Sequence, residues 1–240
     1  MYRAIRISVI FHYNELSWLD IKVYAKLQQY QVMEAGSGGE GLERFERDSP
    51  DLVLLDIVLP DMDGYELCRR IRSVSKVPVV FISCNTSSSD IIRGLELGGD
   101  DYIEKPFDPA VVVARIHASL RRVPIARNRP EPKPSGSVQT PDIIVVGELE
   151  IEPALLRIRT GGKEAALTVK EMQLLVHLAA HPNRVFPPDQ LYKEVWGSDS
   201  IGDTRTVFVH ISSIRKKIEP DPANPNYVLN IRGAGYLFKG

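Results

Sequence analysis

The first 120 residues alternate short, unbroken apolar runs with segments of helical period. Five runs read as strands: Ile5 to Phe11, Gln31 to Ala35, Leu52 to Leu55, Val79 to Ile82 and Tyr102-Ile103. Between them lie helical stretches, such as the one carrying Leu16, Leu19, Val23 and Leu27 at helical spacing. Strands that are apolar throughout, each followed by a helix, belong in a parallel sheet covered on both faces, here a doubly wound five-stranded α/β sheet. In such sheets the chemistry gathers at the carboxyl ends of the strands.

A different grammar begins after a break. Between Val123 and Asp142 five prolines stand among Ser, Gly, Asn and charges, and no apolar period survives, so 123–142 reads as a semi-extended linker. It separates a domain at 1–122 from a second at 143–240. The second opens with short strands, Ile143 to Ile151 and Leu156 to Arg159, turned by Gly161-Gly162. Thr168-Val169-Lys170-Glu171 is a capping box that starts a helix, with Leu167 and Met172 placed as a hydrophobic staple. A second helix is expected from about Pro188 to Trp196. A third runs from about Thr204 to Ile218, capped by Asp203 and stopped by Pro220. A hairpin, Tyr227 to Ile231 and Tyr236 to Phe238, closes the chain. Three helices and a terminal hairpin describe an α+β winged helix-turn-helix.

Composition excludes several classes. With 43 % hydrophobic and 25 % charged residues the chain is neither disordered nor a disulfide scaffold. Its two cysteines, Cys68 and Cys84, lack metal spacing, read as small buried side chains, and suit a reducing cytoplasm. No apolar run reaches the roughly 18 residues of a membrane span, and none opens the chain as a signal peptide would. The net charge is −1, yet residues 204–240 hold six basic against two acidic side chains, a local basic surface inside a neutral whole.

At the strand ends of the first domain stand Asp56, Ser83 and Lys105. A carboxylate can attack a phosphoryl group, and an amine and a hydroxyl can hold its oxygens. Together with Pro50-Asp51-Leu52-Val53-Leu54-Leu55-Asp56, Leu59-Pro60-Asp61-Met62-Asp63-Gly64, Gly94 to Tyr102 and Lys105-Pro106-Phe107, these residues make 1–122 resemble a response-regulator receiver domain. The resemblance implies Asp56 as phospho-acceptor, Ser83 and Tyr102 as switch pair, Lys105 as ligand of the acyl phosphate, and a cis Lys105-Pro106 bond. It also implies two or three carboxylates closing the first strand, which bind Mg²⁺. Counting back from Asp56, those positions hold Phe11, His12 and Tyr13. Mg²⁺ takes near-octahedral oxygen ligation, so the expectation is an atypical receiver that binds Mg²⁺ weakly or not at all and takes phosphate poorly, with no other cofactor and no enzymatic activity. His12 either fills the pocket or, protonated, supplies part of the missing positive charge.

Receivers of the resembling subfamily dimerise through their last helix, the helix before it and the loop that here carries Asp100 and Asp101. That face holds Ile91, Asp100, Asp101, Val111, Arg115 and Arg122, with intermolecular pairs expected for Asp101 with Arg115 and for Asp100 with Arg121 or Arg122. Ile91 and Val111 stand where the family usually has a basic and an acidic residue. Exchanging an ion pair for apolar groups removes a desolvation cost, which suits dimerisation without phosphorylation.

Residues 143–240 resemble the winged-helix effector of OmpR/PhoB-type transcriptional regulators, on Leu167 to Glu171, His181 to Val185, Leu191 to Gly197, Arg205 to Ile211, Ile214 to Ile218 and Arg232 to Tyr236. In the third helix Val207, Ile211, Ile214 and Ile218 form an inward stripe, while Arg205, Val209, Ser212, Ser213 and Lys216 face outward. The resemblance implies backbone contacts to double-stranded DNA from Arg205, Thr206, His210 and Arg215, base-facing Val209, Ser212 and Ser213, and further contacts from Lys216 and from Arg232, Gly235 and Tyr236 of the hairpin. Ser at 212 and 213 and Leu237 replace residues that are often Arg, so sequence preference is expected to differ from that of relatives. Phe208 replaces a usual acidic residue, for which the sequence offers no account. The implied partners are promoter DNA with repeated half-sites, a second copy of the chain, RNA polymerase, and a histidine kinase or a small-molecule ligand, with no membrane.

Overall fold

A computed structural model describes residues 5–11, 17–84, 87–120, 143–197 and 203–240. The linker expected at 123–142, with Arg121 and Arg122, lies outside the described residues, as do His12, Tyr13 and Leu16.

The first domain is a five-stranded parallel sheet of order β2-β1-β3-β4-β5, formed by β1 (Arg6–Ile10), β2 (Gln31–Ala35), β3 (Leu52–Asp56), β4 (Val79–Ser83) and β5 (Asp101–Glu104). All five strands appear where the apolar runs place them. Helices α1 (Ser17–Leu27) and α5 (Pro109–Leu120) cover one face, and α2 (Gly38–Asp48), α3 (Gly64–Val74) and α4 (Ser88–Glu96) the other. The core is accordingly split into two apolar layers: Trp18, Ile21, Val112 and Ile116 against one face, Leu67, Cys68, Ile71, Ile91 and Leu95 against the other. Side-chain caps set the helix starts. Ser37 accepts from the Glu40 N–H, Asp63 from the Tyr65 N–H and Ser87 from the Asp90 N–H.

The helix expected around Leu19, Val23 and Leu27 forms as α1, and the expectation for the cysteines needs correction. In α1 the stripe Leu19, Val23 and Leu27 is exposed, while Trp18, Ile21 and Ala25 face the sheet. The helix carries two apolar stripes, and the one with the larger ring is buried. Of the cysteines, Cys68 is buried, but Cys84, just past β4, is exposed.

The second domain starts with a four-stranded antiparallel sheet, β6 (Ile144–Val146), β7 (Leu149–Glu152), β8 (Arg157–Thr160) and β9 (Lys163–Ala166). The single strand expected from Ile143 to Ile151 is two, because Gly147 takes φ +58° and turns the chain between β6 and β7. Helices α6 (Val169–Ala179), α7 (Pro188–Trp196) and α8 (Arg205–Ile218) follow, then the hairpin β10 (Val228–Ile231) and β11 (Gly235–Phe238). The capping box is formed: the Thr168 N–H donates to Glu171 Oε2 at 2.7 Å and the Glu171 N–H to Thr168 Oγ1 at 3.3 Å. Asp203 accepts from the Arg205 N–H at 2.9 Å and so satisfies the start of α8. Val207, Ile211, Ile214 and Ile218 lie in one core with Leu174, Phe186, Leu191 and Phe238.

Candidate functional site

Two places on the chain collect polar side chains with a chemical rationale: the strand ends of the first domain, and the seam where that domain meets α8.

At the strand ends, β3 delivers Asp56, which is 3 % exposed. Lys105, just past β5, donates to Asp56 Oδ2 at 2.8 Å, and the Val58 N–H donates to Oδ1 at 3.1 Å. Gly64 must lack a side chain, because a Cβ there would stand 2.2 Å from the Asp56 carbonyl oxygen. Ser83 ends β4, and Tyr102 lies beside it in β5; both are buried. Burial raises the Tyr102 phenol above its ordinary value, with side-chain hydrogen bonds to Ser83 and Tyr65 pulling the other way. Asp56, Ser83, Tyr102 and Lys105 therefore converge as expected, and the Lys105-Pro106 bond is cis.

The layer beside them is aromatic. Phe11, at the end of β1, is buried and stacks on Trp18 with ring centroids 5.0 Å apart. The Lys105 amine lies 5.1 Å from the centre of the Trp18 ring. Among the described residues, Asp56 is the one carboxylate at the ends of β1 and β3, and no group of three His, Cys, Asp or Glu side chains could hold a metal ion. Mg²⁺ takes a near-octahedral shell of oxygens, and among the described residues Asp56, paired with Lys105, is the carboxylate these strand ends offer it.

At the seam, α4 packs along α8 and α5 against α7. Asp101 and Arg115, expected to pair between two chains, pair here within one. Arg115 donates to both oxygens of Asp101, at 3.1 and 3.0 Å, and Tyr192 of α7 donates to the same carboxylate at 3.3 Å. Asp100 is paired with Arg72 at 2.6 Å. Its backbone carbonyl accepts from Trp196 Nε1 at 2.9 Å, and His210 Nε2 lies 3.2 Å from it. Ile91 is buried in a cluster that also contains Val209 of α8, and Val111 is half-buried. In the single chain described, this face is covered by the second domain. Arg122 falls outside the described residues.

The outward stripe of α8 is also largely occupied. Arg205 bonds Asp203 and reaches Ser88 of α4, and Lys216 pairs with Glu96 at 3.3 Å. Val209, Thr206 and His210 are buried. Ser213 bonds Glu171, whose carboxylate also pairs with Lys217 at 2.6 Å. Arg215 donates twice to the Val228 carbonyl, at 2.9 and 2.7 Å, and lies over the Tyr236 ring, which bolts the hairpin to the helix. Ser212 and Arg232 are exposed. Gly235, at φ +136°, is required by close packing: a Cβ would come 2.0 Å from the Phe186 carbonyl oxygen, which accepts from the Tyr236 N–H.

Lys170, Tyr192 and Trp196 were not legible as seam residues. Lys170 is fully buried and donates to the carbonyls of Ala118 at 3.0 Å and Val195 at 2.8 Å. A signal was present, since Lys170 heads the stripe completed by Leu174 and Leu178, a lysine on an apolar face.

Comparison with known proteins agrees with this anatomy. The response regulator receiver domain profile matches residues 16–117, and the C-terminal domain profile of transcriptional regulatory proteins matches residues 162–238. The transcriptional regulatory protein CseB of Streptomyces coelicolor is 41 % identical over 210 residues, covering 88 % of each chain. The DNA-binding response regulator MtrA of Mycobacterium tuberculosis is 41 % identical over 201 residues, covering 84 % of this chain and 82 % of its own. Among solved structures, the response regulator DrrB of Thermotoga maritima, an OmpR/PhoB homologue, aligns over 99 % of this chain and 100 % of its own, with a TM-score of 0.51 at 27 % identity. A mutant of RitR shares the fold at a TM-score of 0.71, with 23 % identity over 99 % of this chain and 100 % of its own. A receiver sheet with an acidic strand end, joined to a winged-helix domain, defines a two-domain response regulator. The chain belongs to the OmpR/PhoB-type response regulators. Among the described residues no helix is long and apolar enough to cross a membrane.

Proposed function

We propose that this response regulator acts in the cytoplasm as a transcription factor that binds promoter DNA through α8 and the β10–β11 hairpin, and that its covered form is the resting one. One observation carries the reading: the helix suited to a major groove and the face suited to a second receiver cover each other. Arg205, Val209 and Lys216 meet α4, so α8 enters a groove only after the receiver moves away. The same movement frees Asp100, Asp101 and Arg115 for a homodimer, which doubles a modest basic field. RNA polymerase is the further partner such a factor requires.

The receiver, in this reading, is degenerate toward Mg²⁺-dependent phosphorylation, supported by the aromatic Phe11–Trp18 layer and by Asp56 being, among the described residues, the one carboxylate at these strand ends. Phosphoryl transfer depends chiefly on electrostatic neutralisation of the moving group, and the Lys105 amine is the cation at hand. A small-molecule ligand of this pocket is the signal that such a receiver would take instead of phosphate. A second reading keeps the conventional route, with Asp56 phosphorylated by a histidine kinase; the convergence of Asp56, Ser83, Tyr102 and Lys105 favours it. Incubating the full chain with acetyl phosphate and Mg²⁺ separates the two. No mass increase at Asp56, alongside footprinting that is unchanged by Asp56→Asn, is expected for the degenerate receiver. A phosphorylated fraction that is lost in Asp56→Asn and that binds DNA more tightly establishes the conventional one.

A further inference from the structure

Helix α8 leaves a single stripe facing solvent: Phe208, Ser212 and Lys216, at i, i+4 and i+8. On either side of Phe208 the helix is used up. Val207 is sunk in the second domain's core, and Val209 is buried against the receiver. Phe208 belongs to neither cluster and remains 44 % exposed. The outward head of a stripe continued by a serine and a lysine is a place for a polar side chain, yet Phe208 keeps nearly half of its surface exposed there.

The ring opens onto a groove of about 710 Å³ between α8, the start of α7 and the hairpin, with Val185, Pro187, Ile231 and Tyr236 among its walls. The Tyr236 ring centre is 6.2 Å away. The groove is mostly apolar, and basic groups lie on the same elements: Lys216 further along the stripe, Arg232 in the hairpin turn, and the excess of basic over acidic groups in 204–240. An apolar contact set in a basic frame matches duplex DNA. The major groove presents one purely apolar group, the 5-methyl of thymine, and Phe is among the side chains that can meet it.

We propose that Phe208 is a specificity-determining residue that reads a thymine methyl in the major groove, beside the polar contacts of Ser212 and Lys216. This rests on the reading of α8 as the DNA-binding helix. It predicts a site preference that an acidic residue at this position could not have, because a carboxylate packed on the methyl would lose its hydration with no hydrogen bond in return.

The test removes only the methyl. Duplexes bound by the full-length protein are selected from a random pool, and each thymine is replaced in turn by deoxyuridine. At one thymine per half-site the wild type should lose about fourfold in affinity, the value of one buried methyl. Phe208→Ala should lose nothing further at that position, while Phe208→Leu keeps part of the effect. Circular dichroism of both variants checks that they fold. Tolerance of deoxyuridine at every position, or an equal loss in Phe208→Ala, overturns the proposal while leaving DNA binding intact. Failure to select any duplex at low salt overturns the DNA reading, and the proposal with it.

Discussion

Trp196 of α7 donates its indole N–H to the backbone carbonyl of Asp100 in the receiver, 2.9 Å away, and both residues are buried. The bond crosses the boundary between the two domains. Replacing Trp196 by Phe keeps a ring and removes the donor. The loss is expected to be about 1 kcal/mol, which shifts the closed–open equilibrium roughly fivefold towards open. Small-angle scattering should show a larger radius of gyration and DNA titration a tighter complex. An unchanged radius with unchanged affinity removes this bond from the forces that hold the domains together.

Acid should open the seam. Burial holds His210 below its ordinary value, against the pull of Glu171, Asp100 and Asp101; Lys170 and Arg115 are also buried in this seam. The closed form therefore keeps the imidazole neutral, whereas an exposed one protonates near pH 6.5. The open form then binds more protons, so closure is at full strength above about pH 6.5 and weakens below it by up to about 1.4 kcal/mol per pH unit. Glu171 is buried, which raises it, yet Lys217 and Ser213 hold it below its ordinary value of 4.5, so its contribution is lost only in stronger acid. Scattering at pH 7.5 and 5.5 should show opening in the wild type. His210→Gln should show the same shape at both.

The two thiols should differ sharply. Burial pushes Cys68 up to about 11, and its Sγ lies against the Leu97 carbonyl, whereas Cys84 is exposed. At pH 8 a chromogenic disulfide should titrate one thiol quickly and the second only after denaturant is added. Two fast thiols would falsify the placement of Cys68.

Arg215 and Arg232 should fail in different ways. Arg215→Ala removes two hydrogen bonds to Val228 and should lower the melting temperature of the second domain. Arg232→Ala should leave melting unchanged and lower the salt dependence of DNA binding by about one unit. The reverse pattern would make Arg215 the phosphate contact.

Gly235→Ala is expected to cost about 2–3 kcal/mol, since it combines positive φ with a Cβ driven into the Phe186 carbonyl. Thermal unfolding measures it. A change below about 0.5 kcal/mol would show that the hairpin base yields easily.

Much of this anatomy was legible in the chain. Buried parallel strands are apolar throughout, so the receiver sheet declared itself, and Asp56, Ser83 and Lys105 followed from their places just after strands. The capping box located α6 because Thr168 and Glu171 satisfy each other locally. Features that depend on a second surface were not legible. Helix α1 offers two apolar stripes, and only the sheet decides between them. Asp100 and Asp101 look like loop acids until Arg72, Arg115 and the second domain close over them. Val209 lies on the outward face of its own domain and is buried only by its neighbour.

Mutual covering ties two equilibria together. Helix α8 and the α4–β5–α5 face are each other's competitor, so anything that holds one of them free also leaves the other free. In the proposed homodimer, a duplex that captures α8 would act as an effector of self-association, and self-association would raise affinity for the duplex by the same factor, because linkage is reciprocal. If the receiver is degenerate as proposed, the promoter itself becomes part of the signal.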